Sequence, residues 1–309
     1  MPKNPNATFH LDESELILPD PSCLICRCAT RKNAGVLQEA PKIELLRCVD
    51  CGVVSASRMP VETALAKFYE QYYQNDFYQN RKERVAVQAP QRLAGHIFEY
   101  IAKYPHGKRI HILDFGGGDG SVAFWLGKRL LSEGLSDNIS ITVIDYDVNS
   151  VSKSDSESIT ISKQSALDPS LDGQYDIVLA SAILEHLTDP RKVFESLLKS
   201  LKTGGLLYAR TPYMVPLRQL LRLFGVTIDF TYPAHLHDMG SRFWNRILAT
   251  LQVQDRFELQ TSRPSFVETL FATNFLRTLA AYIFKAPWYL FGDIWPLVGG
   301  WEVIIRRRQ

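Results

Sequence analysis

The sequence predicts an α/β protein in which a mainly parallel sheet carries helices on both faces. Strand-like and helix-like segments alternate from about residue 109, and this alternation is typical of parallel βαβ units. A glycine-rich stretch follows the first of these strands, and four cysteines in two C-x-x-C pairs precede it. The 309 residues are 46% hydrophobic and 22% charged, which suits one large domain with a small one beside it.

Charge and hydropathy narrow the class of protein. The formal net charge is +2, which argues against a nucleic-acid partner because such proteins usually carry a basic surface. The first twenty residues are polar and acidic, so no secretory signal is expected. Since no run reaches the roughly 18 uncharged apolar residues of a membrane span, the sequence predicts a cytoplasmic protein.

Residues 1–15 are expected to be a disordered tail, and residues 16–60 a zinc ribbon. A C-x-x-C turn points two thiolates at one metal, and two such turns complete a tetrahedral site. The predicted zinc ligands are Cys23, Cys26, Cys48 and Cys51. A site closed by four protein ligands is structural. Redox thiols are the alternative, and Cys28 is expected to remain a free thiol.

A helical connector and lid is predicted over residues 61–108. One helix begins near Glu62, and a second, over 89–104, has an apolar face that includes Leu93 and Ile97. Residues 109–309 form the main domain, with a helical insertion at about 266–298. Its strands are predicted at 109–116, 139–147, 158–164, 175–182 and 204–212, followed by two closing strands at 257–265 and 300–308.

The stretch HILDFGGGDG, residues 111–120, places a glycine-rich turn between a strand and a helix. Glycines there let the backbone approach a ligand closely, and the helix N-terminus offers unpaired N–H groups. Two ligands compete. Gly118, Gly120 and Ala123 satisfy the G-x-G-x-x-G/A pattern of dinucleotide sites. In the other register, Asp114 stands two residues before Gly116, where a cofactor with a free α-amino group needs an acceptor.

That second register resembles motif I of the class I S-adenosylmethionine-dependent methyltransferases. The stretch YDIVLASAILEHLTDPRKVFESLLKSLKTGGLLYARTP, residues 175–212, is similar to the same family's later motifs. With RCVDCGVV and FYEQYY upstream, the chain resembles bacterial members that carry an N-terminal zinc ribbon, including enzymes of deoxysugar, surface-polysaccharide and secondary-metabolite pathways. The Glu-His turn also resembles ubiquinone-pathway O-methyltransferases. The resemblance implies a Rossmann-like methyltransferase sheet.

The resemblance implies the cofactor S-adenosylmethionine. Asp145 would take both ribose hydroxyls, although a helix N-cap is its alternative role, and Tyr146 would pack against the adenine. Where the family often has an Asp-Ala pair at the adenine, this chain has Gln164 and Ser165. The full predicted cofactor set is Asp114, Gly116, Gly118, Gly120, Asp145, Tyr146, Gln164, Ser165 and Ser181. Weaker candidates for the carboxylate end of the cofactor are Tyr73, Tyr78, Arg81 and Arg84.

The predicted catalytic residues are His186, Glu185 and His235. His186 is a candidate general base because imidazole titrates near neutrality, and its alternative role is to fix the turn. His235, His237 and Asp238 lie on a loop that could be a lid or hold the acceptor. Glu185 and the histidines could instead bind a divalent ion, while His-x-His also suits a strand edge without metal.

The sequence therefore predicts methyl transfer to a small-molecule acceptor, such as a sugar or another biosynthetic intermediate. The alternatives are an rRNA base methyltransferase and a non-catalytic S-adenosylmethionine-binding partner protein. The apolar insertion at 266–298 is interrupted by charges and by Pro287 and Pro296. It is expected to be a helical cap or a dimer interface, or else a lid that grips a lipid-linked acceptor and contacts the membrane surface. The oligomeric state is left open.

Overall fold

The computed structural model describes residues 10–74, 89–104, 107–145, 158–166, 172–226, 228 and 230–309. The strands are β1 Arg31–Gln38, β2 Ile43–Cys48, β3 Val54–Ala56, β4 Arg109–Phe115, β5 Asn138–Ile144, β6 Ile159–Gln164, β7 Tyr175–Ser181, β8 Leu201–Tyr213, β9 His237–Asp238, β10 Phe257–Pro264 and β11 Gly299–Arg307. The helices are α1 Glu62–Gln74, α2 Pro90–Ile101, α3 Ser121–Ser132, α4 Pro190–Ser200, α5 Val215–Leu223, α6 Ser241–Thr250, α7 Phe271–Lys285 and α8 Trp288–Phe291.

The central sheet has seven strands in the order β10-β11-β8-β7-β4-β5-β6. Strands β4 to β8 run parallel, whereas β11 is antiparallel to β8 and β10 is antiparallel to β11. The predicted α/β sheet is therefore confirmed. Because β10 has the same direction as β8, its carboxyl end lies at the edge of the sheet where β4 and β7 also end.

Successive residues of the buried strands point to opposite faces of the sheet, and each face has its own apolar core. Ile112 and Leu179 pack with helices α2 and α3 on one face. Leu113 and Val178 pack with α4 and α6 on the other. Helices on both faces, as the sequence predicts, leave the carboxyl edge as the place where ligands bind in such sheets.

The cysteine-rich unit packs into the second of these cores. Cys23, Cys51 and Val53 share that core with Trp244 of α6, and β3 pairs with β9, a strand of two residues from the main domain. The division into a ribbon and a methyltransferase domain stays a prediction, and the two units share buried surface.

The predicted tail differs from the structure at residues 10–15. Leu11 is fully buried, and its backbone N–H and C=O both hydrogen-bond the Gln38 side chain. Leu11 and Leu16 fill a third core with Ile43 and Leu45. The segment is polar overall, but Leu11 and Leu16 are buried and hold it to the core. The prediction of disorder is therefore wrong for residues 10–15. Residues 1–9 lie outside the described residues.

The insertion contains α7 and α8, and α7 is kinked at Asn274. Most of its large apolar side chains are exposed, including Leu276, Ile283 and Leu290, at 78%, 59% and 83%. Within the described part of the chain, no helix is both long and apolar enough to cross a bilayer.

Candidate cofactor and acceptor site

The glycine-rich turn connects β4 to α3 and is held against its neighbours by backbone contacts. Gly116, Gly118 and Gly120 all have positive φ, at 70°, 59° and 76°, a region that L side chains rarely adopt. The Gly116 N–H donates to the Ile144 carbonyl at 2.7 Å, which fixes the turn to the end of β5. The N-terminus of α3 therefore faces the carboxyl edge of the sheet.

Asp114 lies directly beneath this turn. Its side chain is 3% exposed, and a Cβ on Gly117 would come within 2.4 Å of its carboxyl carbon. Burial raises the pKa of Asp114 to about 7. The Ala123 N–H donates a hydrogen bond to this carboxyl group, which lowers the pKa and offsets part of the effect of burial. Its Oδ2 has no hydrogen-bond partner among the described residues. A buried carboxyl oxygen of this kind needs a hydrogen-bonding or cationic partner to offset its burial.

Asp145 follows β5, and its Oδ2 accepts the Gly118 N–H at 2.8 Å. The carboxylate thus contacts the turn directly, which the sequence did not foresee. Ser181 ends the neighbouring strand β7, and its Oγ is buried with no partner in the described structure. Gln164 ends β6, Ser165 follows it, and both side chains are exposed. Tyr146, Tyr78, Arg81 and Arg84, like the side chain of Tyr73, lie outside what the structure describes.

The turn after β7 carries Glu185 and His186. Glu185 is 1% exposed, and its Oε2 has no partner among the described residues. The Nδ1–H of His186 donates to the Ala234 carbonyl at 2.8 Å, and His186 Nε2 lies 3.8 Å from Glu185 Oε1. The ring of His235 packs edge-on against that of His186, with centroids 4.9 Å apart. The three predicted catalytic residues are thus neighbours.

Burial is the main cause of the shifted pKa values of Glu185, His186 and His235. It raises the pKa of Glu185 to about 8 and lowers the pKa values of His186 and His235 to about 4 and about 3. At neutral pH both imidazoles are therefore uncharged, and Glu185 is mostly protonated. Glu185, His186 and His235 also offer ligand atoms within 4.8 Å of one another, a carboxylate and imidazole set that suits a divalent ion.

The loop that bears His235 is anchored at both sides. The Leu236 N–H donates to the Glu185 carbonyl at 2.8 Å. His237 is fully buried, donates through Nε2 to the Leu187 carbonyl and accepts the Ser55 hydroxyl at Nδ1. Asp238 accepts the Met214 and Val215 N–H groups at the start of α5. His237 and Asp238 form β9, which matches the strand-edge alternative for His-x-His.

The four predicted zinc ligands meet at one point. Their sulfur atoms lie within 4.8 Å of one another, with Cys23 Sγ 3.7 Å from Cys51 Sγ and Cys26 Sγ 3.4 Å from Cys48 Sγ. Four thiolates at ~2.3 Å from a tetrahedral zinc ion are ~3.8 Å apart, so the cluster has the right size. Cys28 lies outside the cluster, and its thiol contacts the Thr30 carbonyl at 3.7 Å.

Sequence reasoning missed two contributors to this edge. The Tyr69 hydroxyl of α1 lies 3.2 Å from His186 Nδ1. It belongs to the FYEQYY stretch, where aromatic spacing alone does not show which tyrosine turns inward. Arg210, at the end of β8, forms a buried ion pair with Glu268 of the insertion. A lone arginine at a strand end gave no signal, because its partner is 58 residues further on.

The fold and this edge define an S-adenosylmethionine-dependent methyltransferase. Residues 81–252, more than half of the chain, match the family model described as a methyltransferase domain, and the chain belongs to that family. It is 30% identical over 96 residues to the ubiquinone biosynthesis O-methyltransferase of Marinobacter nauticus, a match that covers 31% of this chain and 39% of the relative's length.

One solved structure has the same fold at low sequence identity. It is the plantazolicin methyltransferase BpumL in complex with a triazolic desmethylPZN analog and SAH. The identity is 16%, the alignment covers 80% of this chain and 94% of BpumL, and the TM-score is 0.50. This similarity supports a Rossmann-like fold for the chain.

Proposed function

We propose that this protein transfers the methyl group of S-adenosylmethionine to a small-molecule acceptor, such as a sugar or another biosynthetic intermediate. The observation that carries the proposal is a set of three buried oxygens, Asp114 Oδ2, Ser181 Oγ and Glu185 Oε2, that lack partners among the described residues. Asp114 is the penultimate residue of β4, Ser181 ends the adjacent strand β7, and Glu185 lies in the turn after β7. Buried polar atoms usually have a hydrogen-bond partner, so three unpaired oxygens at one edge favour a site that a ligand, an ion or water completes.

The chain's residues divide the work at this edge. We assign Asp145 to the ribose hydroxyls, the N-terminus of α3 to polar groups of the cofactor, and Asp114 to the cofactor's ammonium group. The sulfonium supplies an activated methyl group, so the protein has to align the acceptor and remove its proton where needed.

We assign to His186 the role of the general base that removes the proton of the acceptor. Its Nδ1–H is committed to the Ala234 carbonyl, so its Nε2 is the basic nitrogen. Burial lowers the pKa of His186, so the ring is uncharged in the physiological range and its Nε2 lone pair is available. The same burial makes the ring a weaker base than a solvated imidazole. His235 packs against His186 and is placed to contact the acceptor, while Glu185, which is mostly protonated, can donate a hydrogen bond to it.

A small acceptor is favoured by the net charge of +2, since nucleic-acid sites need a basic surface. The curated relative is named for ubiquinone biosynthesis, a small-molecule pathway, although the chain spans only 39% of its length. We also propose that Cys23, Cys26, Cys48 and Cys51 hold a structural zinc ion, on the strength of their sulfur spacing.

Calorimetric titration with S-adenosylhomocysteine and with NAD tests the cofactor. Asp145→Ala removes a bidentate contact to the ribose and should weaken S-adenosylhomocysteine at least tenfold, or about 1.4 kcal/mol. Because Asp145 also accepts the Gly118 N–H, Asp145→Asn serves as a second variant that keeps an acceptor there without the charge. Asp137→Ala, at a side chain 73% exposed, is the matched control. Unchanged affinity in both Asp145 variants, or tighter binding of NAD by the wild type, would refute the assignment.

A further inference from the structure

A second ligand-sized space lies between the end of β10 and the insertion. It is a cleft of about 560 Å³, within the range of small-molecule sites. Its apolar lining includes Phe266, Tyr282, Tyr289 and Leu290, and its polar lining includes His96, Arg263 and Lys285. The cleft is therefore amphipathic, and its aromatic and basic groups are in contact where the Phe266 ring stacks on that of His96.

This cleft opens at the same edge of the sheet as the glycine turn. Four residues lie opposite one another in the register of neighbouring strands. Ser181 of β7 is opposite Arg210 of β8, Arg210 is opposite Glu302 of β11, and Glu302 is opposite Arg263 of β10. At ~4.8 Å between neighbouring strands, Ser181 and Arg263 are ~14 Å apart. One elongated molecule could therefore reach from the cofactor edge into the cleft.

Two carboxylates lie near the cleft, and among the described residues both are paired with groups other than Lys285. Glu302 is buried and accepts from His96, Arg263, Tyr208 and the Phe266 N–H, while Glu268 pairs with Arg210.

Among the described residues, Lys285 donates to the carbonyl and hydroxyl of Ser265, and none of their carboxylates lies within ion-pair distance of it. Burial lowers the pKa of Lys285 to about 8, against the attraction of Glu302 and Glu268. A half-buried ammonium group of this kind is stabilised by a bound anion.

We propose that this cleft binds the distal part of the acceptor, and that this part is an apolar or aromatic body ending in an anionic group held by Lys285 and Arg263. The identity of the bound molecule as the acceptor rests on the proposed function, whereas the anion-binding cleft does not. The methyl-accepting group would then lie toward the cofactor edge, and the anion would lie about three strands away.

Two fluorescent probes test the cleft itself. One is 1-anilinonaphthalene-8-sulfonate, and the other is N-phenyl-1-naphthylamine, which has the same ring system without the sulfonate. Lys285→Met should weaken the sulfonate probe at least fivefold and leave the neutral probe unchanged, and Lys285→Arg should restore binding. Lys108→Met, at a lysine 91% exposed, is the control and should change neither. Equal affinity of wild type and Lys285→Met for the sulfonate would overturn the proposal, because the probe would then sit on the exposed apolar helices.

A second variant avoids the buried lysine. Leu290 lines the cleft and is 83% exposed, so Leu290→Glu cannot unfold the core and should repel the sulfonate probe relative to Leu290→Gln. Identical sulfonate affinities in these two variants would count against an anionic ligand.

Calorimetry with S-adenosylhomocysteine separates the two proposals. Lys285→Met should bind S-adenosylhomocysteine as the wild type does. If the wild type fails to bind S-adenosylhomocysteine but the Lys285 contrast persists, the proposed function fails and the anion cleft stands. The acceptor is tested with labelled S-adenosylmethionine and a small-molecule extract. Labelled products that are not retained on an anion-exchange resin would refute the assignment of the cleft to the acceptor.

Discussion

Replacing Asp114 by Asn should stabilise the protein at alkaline pH while weakening its cofactor affinity. The side chain is 3% exposed, and burial raises its pKa from 3.8 to about 7. The folded state therefore keeps the proton to a higher pH than the unfolded chain does. Below about pH 4, Asp114 is protonated in both the folded and the unfolded protein, so its raised pKa does not change the free energy of unfolding. As the pH rises from there to about 7, the wild type loses stability, and above pH 7 the cost is complete.

The magnitude follows from the difference of roughly three pH units between the two pKa values. At ~1.4 kcal/mol for each, the full cost is about 4 kcal/mol. Between pH 5 and pH 8.5 the stability of Asp114→Asn relative to wild type should grow by about 2–3 kcal/mol. Glu185 and Asp238 also have raised pKa values, but they are present in both proteins and cancel in the comparison.

Urea unfolding of wild type and Asp114→Asn at the two pH values measures this difference. Asp137→Asn, at an exposed side chain, should show no such pH dependence. The same Asp114→Asn protein should bind S-adenosylhomocysteine more weakly, since an amide cannot offer a charge to the ammonium group. A variant that loses equal stability at both pH values would refute the reasoning, because the carboxyl group would then be ionised without cost in the fold.

Metal analysis should find one zinc ion per chain, and Cys48→Ser should lose it and lower the melting temperature, because Cys48 shares a core with Trp244. Cys28→Ser is the control and should keep the metal; zinc retained in Cys48→Ser would exclude the four-cysteine site. His186→Asn can still donate to the Ala234 carbonyl but lacks the basic nitrogen, so methyl transfer should fall about 10²–10⁴-fold with S-adenosylhomocysteine affinity within twofold. Transfer of labelled methyl groups into a small-molecule extract measures this, and a rate within threefold of wild type would leave His186 a structural role only.

The elements with strong local signals could be read from the sequence. β4, the glycine turn and α3 follow from an apolar run, three glycines with positive φ and a helical spacing. Each C-x-x-C pair likewise brings its own two thiols together, because this spacing is a local constraint, and the four-ligand preference of zinc predicts that the two pairs meet.

Long-range contacts could not be read in this way. The pairing of β3 with β9 joins Ser55 to His237 across 182 residues, and neither strand of two or three residues has a detectable period. The order of β10 and β11 in the sheet, which brings Arg263 beside Glu302, depends on packing of the whole chain. The cleft and its lysine, which has no ion-pair partner among the described residues, therefore became visible only in three dimensions.

A structure of the complex with S-adenosylhomocysteine tests the central assignment most directly. We expect the ribose on Asp145, the ammonium group toward Asp114, and the sulfur on the side of His186. S-adenosylhomocysteine located away from the turn of Gly116, Gly118 and Gly120, or an occupied turn with no contact to Asp145, would contradict the assignment.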